Sequence, residues 1–547
     1  MATGTGSVTA PATLSAEVAA GEDRAAPDRA GRWSAVVFAV AVVVALPVLL
    51  WCGRRHWFFL DEWWGLGRSE AWDPGYLDGH NGQWSTLTRL QYRATFELFG
   101  LRTYLPYQVP VVVAHLAVAA LVRQVSVRCG VRGWIATAVA VAFVFFGAGH
   151  ENVLFGWSSS MTGALVCGLA LFLLADGSGA VTRRDGFVLA LGIVGLLTSS
   201  AFMAMVVGLG VTTVLRRGLR VAAFYTVPLV AIYTAWYAAY GSDSSAVPLM
   251  LTRRTLWFMG RMSWAVFDAL AQSGVGVFLL ALAGIGVVTA LYRAVQGGDW
   301  AEVAVPAGLC VAWVAFAAMT ALGRAILPLG SESYASSRYL HVGAALLLPV
   351  AALGAERLAR RRAVLGALAL VPLAVGLPGN VDRMANTPLA FTGGRDTVLT
   401  VAHSPYLDDV PPDTLPLAVG GAARVPVTAE WLLRQVDAGR IPEPDDPDPV
   451  RDLIATGHIV LTQDAGPEDA AGCPPLSGDV PLTLRDGDEV DFDGAVNVFV
   501  TDGARMSFPR GFDSRLGSVI RALAGPVDVV MRPAPGMSAR VCTPTPG

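Results

Sequence analysis

Two adjacent acids, Asp61 and Glu62, stand in the stretch Phe58-Phe59-Leu60-Asp61-Glu62-Trp63-Trp64. Aromatic residues gather where water meets hydrocarbon. A carboxylate framed by them therefore sits at the edge of an apolar phase. There it either has its pKa raised by desolvation or is held ionised by a cation. Either state suits a general base or a metal ligand. The plain alternative is a solvated acidic pair after a helix. His80 follows, within Gly79-His80-Asn81-Gly82-Gln83-Trp84. It reads as a proton shuttle or phosphate partner, or as a hydrogen-bonded loop histidine. Arg89 and Arg93 lie one helical turn apart, ready to bind an anionic headgroup or only to snorkel.

Later residues extend this set. His150 and Glu151 occur together in Gly149-His150-Glu151-Asn152. Glu151 is a second acid or a helix cap. Arg253, Arg254 and Arg261 form one group of cations, and Ser336-Ser337-Arg338-Tyr339 supplies another. Arg binds phosphate with a bidentate fork. A helix starting at Ser336 and Ser337 would add backbone N–H groups. These residues make an acid/base set plus a phosphate set. All 40 basic residues are Arg, so Schiff-base and P-loop lysine chemistry is excluded. Nucleophile-triad, GxGxxG and zinc-finger spacings are absent as well.

The elements that must position these groups are apolar. The chain has 547 residues, of which 54% are hydrophobic and 15% charged. A soluble domain carries about 25% charge, so an ordinary cytosolic enzyme is excluded. So is a disordered chain. A membrane span needs about 20 apolar residues. Runs at 36–51, 105–122, 134–149, 161–175, 187–197, 201–215, 221–240, 275–291, 303–322, 339–353 and 364–377 predict about eleven transmembrane helices. The pair 187–215, broken only at Thr198-Ser199-Ser200, reads as two spans or as one kinked one. No repeat of fixed period is present.

Arginine placement orients the spans, because cytoplasmic loops carry the positive charge. With the N-terminus inside, the loops at 123–132, 176–185, 216–220, 293–302 and 356–362 are internal and rich in Arg. The short outer connections at 150–158 and 198–200 have none. Arg253, Arg254, Arg261, Arg324 and Arg338 break the rule by falling outside, which invites a functional explanation. Residues 1–32 read as a disordered cytoplasmic tail, residues 33–379 as the membrane domain, and 53–103 as a large first outer loop. Within that loop Leu87, Leu90, Ala94 and Leu98 share helical spacing, which suits a helix lying along the membrane surface.

From residue 380 the composition changes. Residues 380–547 hold 24 acids and 13 Arg, a net charge of −11, whereas 1–379 hold 19 acids and 27 Arg, a net of +8. The second part reads as a soluble extracytoplasmic β-rich α+β domain. Strands are expected at 397–402, 458–462, 496–500 and 527–531, and helices at 429–438, capped by Thr428, and at 515–523. Cys473 and Cys542 lie in this oxidising setting and can pair. Cys52, Cys129, Cys167 and Cys310 lie in or beside spans and read as small apolar residues. The acidic run at 486–494 lacks EF-hand order. With an overall net charge of −3, nucleic acid is not an expected partner.

The first span, the acidic pair, the interfacial helix, the many further spans and the outer domain together resemble the GT-C superfamily of membrane glycosyltransferases. The stretch HNGQWSTLTRLQYRATFELFG, from His80 to Gly100, is similar to the first outer loop of bacterial members. The following segment at 104–115 is similar to their second span. The resemblance covers residues 33–380. It implies a polytopic α-helical fold of the inner (plasma) membrane, with its N-terminus cytoplasmic. It implies a sugar donor carried on polyprenyl phosphate and a cell-envelope glycan, glycolipid or protein acceptor. It makes Asp61 the base, with Glu62 supporting it, and Glu151 a second acid. Asp61, Glu62 and Glu151 are candidate ligands for a divalent metal, Mg or Mn, and the need for a metal is left open. Arg338, with Arg253 or Arg254, would hold the departing lipid phosphate, beside His80, Arg89, Arg93, His150 and Tyr339. Asp-Glu stands here where many members carry Asp-Asp or Glu-Asp, and no outer Lys is present.

Three other readings compete. A transporter or flippase of lipid-linked sugars would bury charge in mid-span, and acids are scarce in these spans. A membrane scaffold with an outer binding domain would need only one anchor helix. An outer-face acyltransferase built on His80 would not require the acidic pair.

Overall fold

A computed structural model describes residues 29–59, 61–67, 74–80, 82–175, 177, 179–241, 252–298, 300–324, 333–386, 395–403, 407, 418–419, 423–424, 427–445, 459–462, 472–485, 487–501, 510–513, 519–522 and 526–542. All eleven apolar runs are helical in whole or large part: α1 (Arg29–Cys52), α4 (Leu105–Arg128), α5 (Gly133–Val144), α7 (Ser159–Leu174), α8 (Arg183–Thr198), α9 (Phe202–Arg217), α10 (Leu219–Tyr240), α12 (Gly276–Gly297), α13 (Ala301–Arg324), α14 (Ser337–Arg361) and α15 (Ala363–Asn386). Eight of them are long and apolar enough to cross a membrane, counting the 3₁₀ turn Gly156–Ser158 as the start of α7. The other three are shorter. At 1.5 Å per residue, the 12 residues of α5 and the 16 each of α8 and α9 fall short of a hydrocarbon layer of about 30 Å. Among the described residues, eight of the eleven expected spans thus have the length and composition to cross a membrane. The 187–215 region is two helices, parted at Ser199–Ala201 because Ser199 is extended and cannot continue the helix.

Further helices lie between these. They are α2 (Asp61–Gly67), α3 (Thr86–Phe99), the single turn α6 (Glu151–Leu154) and α11 (Arg253–Ala271). The group Arg253, Arg254 and Arg261 is thus on a helix, where a loop was expected. In α3 the buried side chains are Thr86, Thr88, Arg89, Tyr92, Thr95 and Phe96, while Leu90 and Leu98 point away from the protein. The leucine stripe is an exposed apolar face. Helix α1 begins at Arg29, so residues 29–32 belong to it and not to a tail; residues 1–28 lie outside the described region.

The polar ties sort the bundle into two ends. At one end Gln108 Nε2 donates to Leu49 O at 3.1 Å, Trp84 N to Ser200 Oγ at 2.8 Å, Trp236 Nε1 to Leu77 O at 2.6 Å and Ala148 N to Asn380 Oδ1 at 3.0 Å. Asp61 and Glu62 belong to this end. At the other end Arg123 Nε donates to Thr137 Oγ1 at 2.9 Å, and buried Glu356 accepts from Arg132 and Arg360. There Arg217 also grips Asp185 in a two-point pair at 2.7 and 3.1 Å, with both side chains 3% exposed. Between the ends, His115 Nδ1 and His341 Nε2 lie 2.9 Å apart in the apolar core, and His115 Nε2 is 3.0 Å from Val144 O.

The C-terminal part has two cores. In the first, α16 (Arg395–Ala402) and α17 (Ala429–Asp437) pack Val398, Leu399, Val401, Trp431 and Leu432 against Trp57, Phe58, Trp63, Tyr92, Phe96 and Tyr107. The strand expected at 397–402 is thus a helix. Its buried Val398, Leu399, Val401 and Ala402 line one helical face, and alternation over six residues fits either period. Thr428 caps α17, accepting from Trp431 N at 3.2 Å. Two short strands, β1 (Ala418–Val419) and β2 (Ala423–Arg424), form a separate antiparallel pair.

The second core belongs to an antiparallel sheet. Its strands are β3 (Ile459–Thr462), β4 (Val480–Leu484), β5 (Glu489–Thr501), β6 (Arg510–Asp513), β7 (Val519–Ala522), β8 (Val527–Pro533) and β9 (Ala539–Val541). The long β5 pairs with β6, β7, β8 and β9. Its alternate residues Val496, Val498 and Val500 point inward onto Val529 and Met531. The helix expected at 515–523 is replaced at 519–522 by β7, held between β3 and β5. Cys473 and Cys542 are joined in a disulfide.

The buried Arg217–Asp185 pair yields a stability test. Removing one partner of a buried ion pair costs about 3–5 kcal/mol, because the other charge is left uncompensated. Arg217→Met should lower the melting temperature sharply in detergent, whereas the double change with Asp185→Leu should recover most of the loss. Additive losses in the double variant would show that the pair is not coupled.

Candidate active site at the acidic end

Asp61 and Glu62 start α2, where carboxylates are favoured by the helix dipole. Adjacent positions on a helix point apart, and the two acids meet different surroundings. Asp61 remains 28% exposed and its Oδ1 lies 2.8 Å from His80 Nε2, an imidazole 16% exposed. His80 is held by a tight loop in which His80 N donates to Gln83 O and Gln83 N to His80 O. Its ring lies 3.8 Å from that of Trp64. Arg89 lies over the same tryptophan at 3.9 Å. Arg89 is itself buried, and it donates to Asp78 O at 2.7 Å and to Gly75 O. Its place is under the turn that carries His80. Arg93 donates to Tyr76 Oη at 2.6 Å.

Glu62 has no solvent exposure. Its Oε2 accepts Phe59 N at 2.8 Å, and its Oε1 accepts Tyr104 Oη at 2.7 Å together with the Tyr92 hydroxyl. Burial pushes its pKa up from 4.5 to about 8, against the lowering by these three donors. The Tyr92 and Tyr104 hydroxyls are held well above their ordinary range, first by burial and then by Glu62.

The loop between α5 and α7 forms the other side of this end. Glu151 Oε2 pairs with Arg338 Nε at 3.0 Å, and Glu151 N donates to Ser337 Oγ at 3.0 Å. Asn152 Nδ2 donates to Arg338 O at 3.1 Å. His150 Nδ1 is 3.2 Å from Gly147 O and 3.4 Å from Ser337 Oγ, and burial lowers its pKa. Arg338 and Glu151 are both about one-third exposed. Tyr339 is buried, packed edge-on to Phe316 at 6.1 Å. Arg253 and Arg254 are exposed in the first turn of α11, beyond the cap Thr252. Arg261 donates to Tyr334 Oη at 2.7 Å.

The metal ligand set expected of Asp61, Glu62 and Glu151 is not assembled. Both oxygens of Glu62 are occupied inside the protein, and Glu151 faces Arg338. Among the described residues no three His, Cys, Asp or Glu side chains gather as a metal site.

Four residues join the site that sequence reading did not single out. Tyr92 and Tyr104 hold Glu62. Trp157 stands 6.1 Å from His80. His56 is buried with its Nδ1 3.4 Å from Leu154 O, and burial lowers its pKa to about 4. Arg89, Tyr92 and Phe96 fall at helical spacing on the side of α3 opposite the leucines, and that second stripe was the available signal.

The Glu62 carboxyl makes a pH prediction. A pKa raised on folding gives stability that is complete below the unfolded value of about 4.5 and is lost as pH rises through about 8. Glu62→Gln should therefore weaken the fall in melting temperature between pH 5 and about 8. His56 titrates in the opposite sense over the lower part of this window and is common to both proteins. Identical pH slopes would mean that Glu62 is ionised in the folded protein.

Compared with known proteins, the chain matches no family model, no curated protein and no solved structure.

Proposed function

We propose that the chain is a membrane glycosyltransferase that moves a sugar from a polyprenyl-phosphate donor to a cell-envelope acceptor outside the plasma membrane. The Asp61–His80 pair carries this reading. It is a partly exposed carboxylate with an imidazole nitrogen at 2.8 Å, at the end of the bundle opposite the ties of Arg123, Arg132, Arg217 and Arg360. The positive-inside rule makes that end the outer one. The exposed leucines of α3 beside it suit contact with lipid, which is where a polyprenyl donor presents its headgroup.

In the proposed reaction Asp61 removes the proton from the acceptor hydroxyl. The acceptor oxygen forms its bond to the anomeric carbon as the bond from that carbon to the phosphate oxygen breaks. The phosphate leaves with the bonding electrons, and the configuration inverts. His80 fixes the Asp61 rotamer through its N–H. Arg338 is the cation for the leaving phosphate, with Glu151 keeping its guanidinium in place until the anion arrives. Arg253 and Arg254 lie at a helix N-terminus, where cations are disfavoured by about 0.3–1 kcal/mol. A bound phosphate would offset that cost. Positioning and electrostatic stabilisation supply most of the rate in such a scheme.

The test is transfer of radiolabelled sugar from polyprenyl-phosphate donors by the purified protein in lipid. Wild type should label an acceptor. Asp61→Asn should reduce kcat by about 10²–10⁴-fold, the range for loss of a general base, with folding unchanged. Transfer that persists in the variant would remove Asp61 as the base. No turnover by wild type on any donor would overturn the transferase reading in favour of transport or scaffolding.

A further inference from the structure

Glu62 sits beside the proposed base but cannot reach a substrate, because it is wholly buried. Its partners come from three separate parts of the chain. Phe59 precedes α2, Tyr92 lies in α3 and Tyr104 precedes α4. The Tyr104 hydroxyl has a second bond. It accepts from Gly156 N at 2.8 Å, in the loop that also carries Glu151 and Asn152. One phenol oxygen therefore joins the carboxyl next to Asp61 to the loop next to Arg338.

Packing makes the same join twice more. A Cβ on Gly156 would stand 2.4 Å from Tyr92 Oη and 3.1 Å from Tyr104 Oη, so the loop backbone lies directly on the two phenols. A Cβ on Gly65, one turn along α2 from Asp61, would stand 2.3 Å from the Trp157 ring. Further along the loop, the bonds from Glu151 and Asn152 to Ser337 and Arg338 close the path onto α14. Residues 150–157 form a strap, with the carboxyl of Glu62 as the fixed point at one end and the start of α14 at the other.

We propose that Glu62 is a positioning residue. Through Tyr104 and Gly156 it locks the first outer loop to the strap and so fixes the distance between the Asp61–His80 pair and Arg338. For its kinetic half this rests on the transferase reading, since an acceptor proton and a departing phosphate must be met at one separation. Its structural half stands on the hydrogen bonds alone.

Removing Glu62 itself would strand two buried phenols and the part-buried Phe59 N–H, so the test uses the full-length protein in lipid nanodiscs with Tyr104→Phe, which deletes only the bridging oxygen. Tyr107→Phe is the control. Its hydroxyl is in the same aromatic cluster but donates to Gly100 O at 3.0 Å. Amide exchange should rise by about tenfold, the equivalent of one lost hydrogen bond, within both 59–67 and 150–158 in Tyr104→Phe. In the control neither segment should change. Transfer kcat should fall by about 10–100-fold with KM within about twofold, as expected when reacting groups are displaced while ground-state binding persists. Exchange confined to one segment, or equal effects of the two substitutions, would overturn the proposal. If wild type transfers no sugar at all, the function reading fails, and the exchange measurement still decides whether the lock exists.

Discussion

A carboxyl group without water must be surrounded by donors or remain protonated. Glu62 meets this requirement with two phenols and one backbone N–H, and the acidic end is arranged around the solution. Tyr92 must face inward, which turns the apolar Leu90 and Leu98 of α3 outward. Tyr104 must sit just ahead of α4, which sets where the first loop ends. Gly156 must lack a side chain, which brings the strap onto the phenols. With those positions taken, Asp61 is left as the acid of the pair that meets solvent, and it lies against His80.

The two acids show how far neighbouring residues can be separated by environment. Asp61 is partly wet and paired to an imidazole, while Glu62 is dry and bonded to neutral donors. A deep group of that kind is strongly coupled to the fold and weakly coupled to ligands. The opposite holds at the edge, where Glu151 and Arg338 face each other with about a third of each side chain in contact with solvent. An exposed pair of this sort contributes little to stability and can exchange partners cheaply. A glutamate thus anchors both the buried and the exposed half of the site, with tyrosines as partners at depth and an arginine at the edge.

Much of the architecture was legible in hydropathy. Each of the eleven apolar runs contains a helix, because an apolar environment leaves the backbone no better way to satisfy its hydrogen bonds. Length was less legible, since a run such as 134–149 is apolar throughout yet its helix stops at Val144. Short alternating windows failed in both directions. Residues 397–402 are helical under the cover of Trp57 and Trp431, and 519–522 form a strand because β5 and β3 flank them. In the site, the residue types at Asp61 and His80 were readable, but their pairing across 19 positions was not. Nor was the split between Asp61 and Glu62, which depends on tyrosines 30 and 42 residues away. The buried contact of His115 with His341 spans 226 positions, and only the rarity of histidine in apolar runs hinted at it.

The core beneath the acidic pair is assembled from distant parts of the chain. Trp57, Phe58 and Trp63 are made early, whereas Val398, Leu399, Trp431 and Leu432, which close over them, follow every long helix. Chains emerge from the ribosome N-terminus first, so the helical bundle is complete before this core can be. The packing beneath Asp61 and Glu62 can accordingly close only after the long helices have been made. A polypeptide cut short ahead of residue 395 would keep the long helices but leave Trp57, Phe58 and Trp63 without the cover of Val398, Leu399, Trp431 and Leu432.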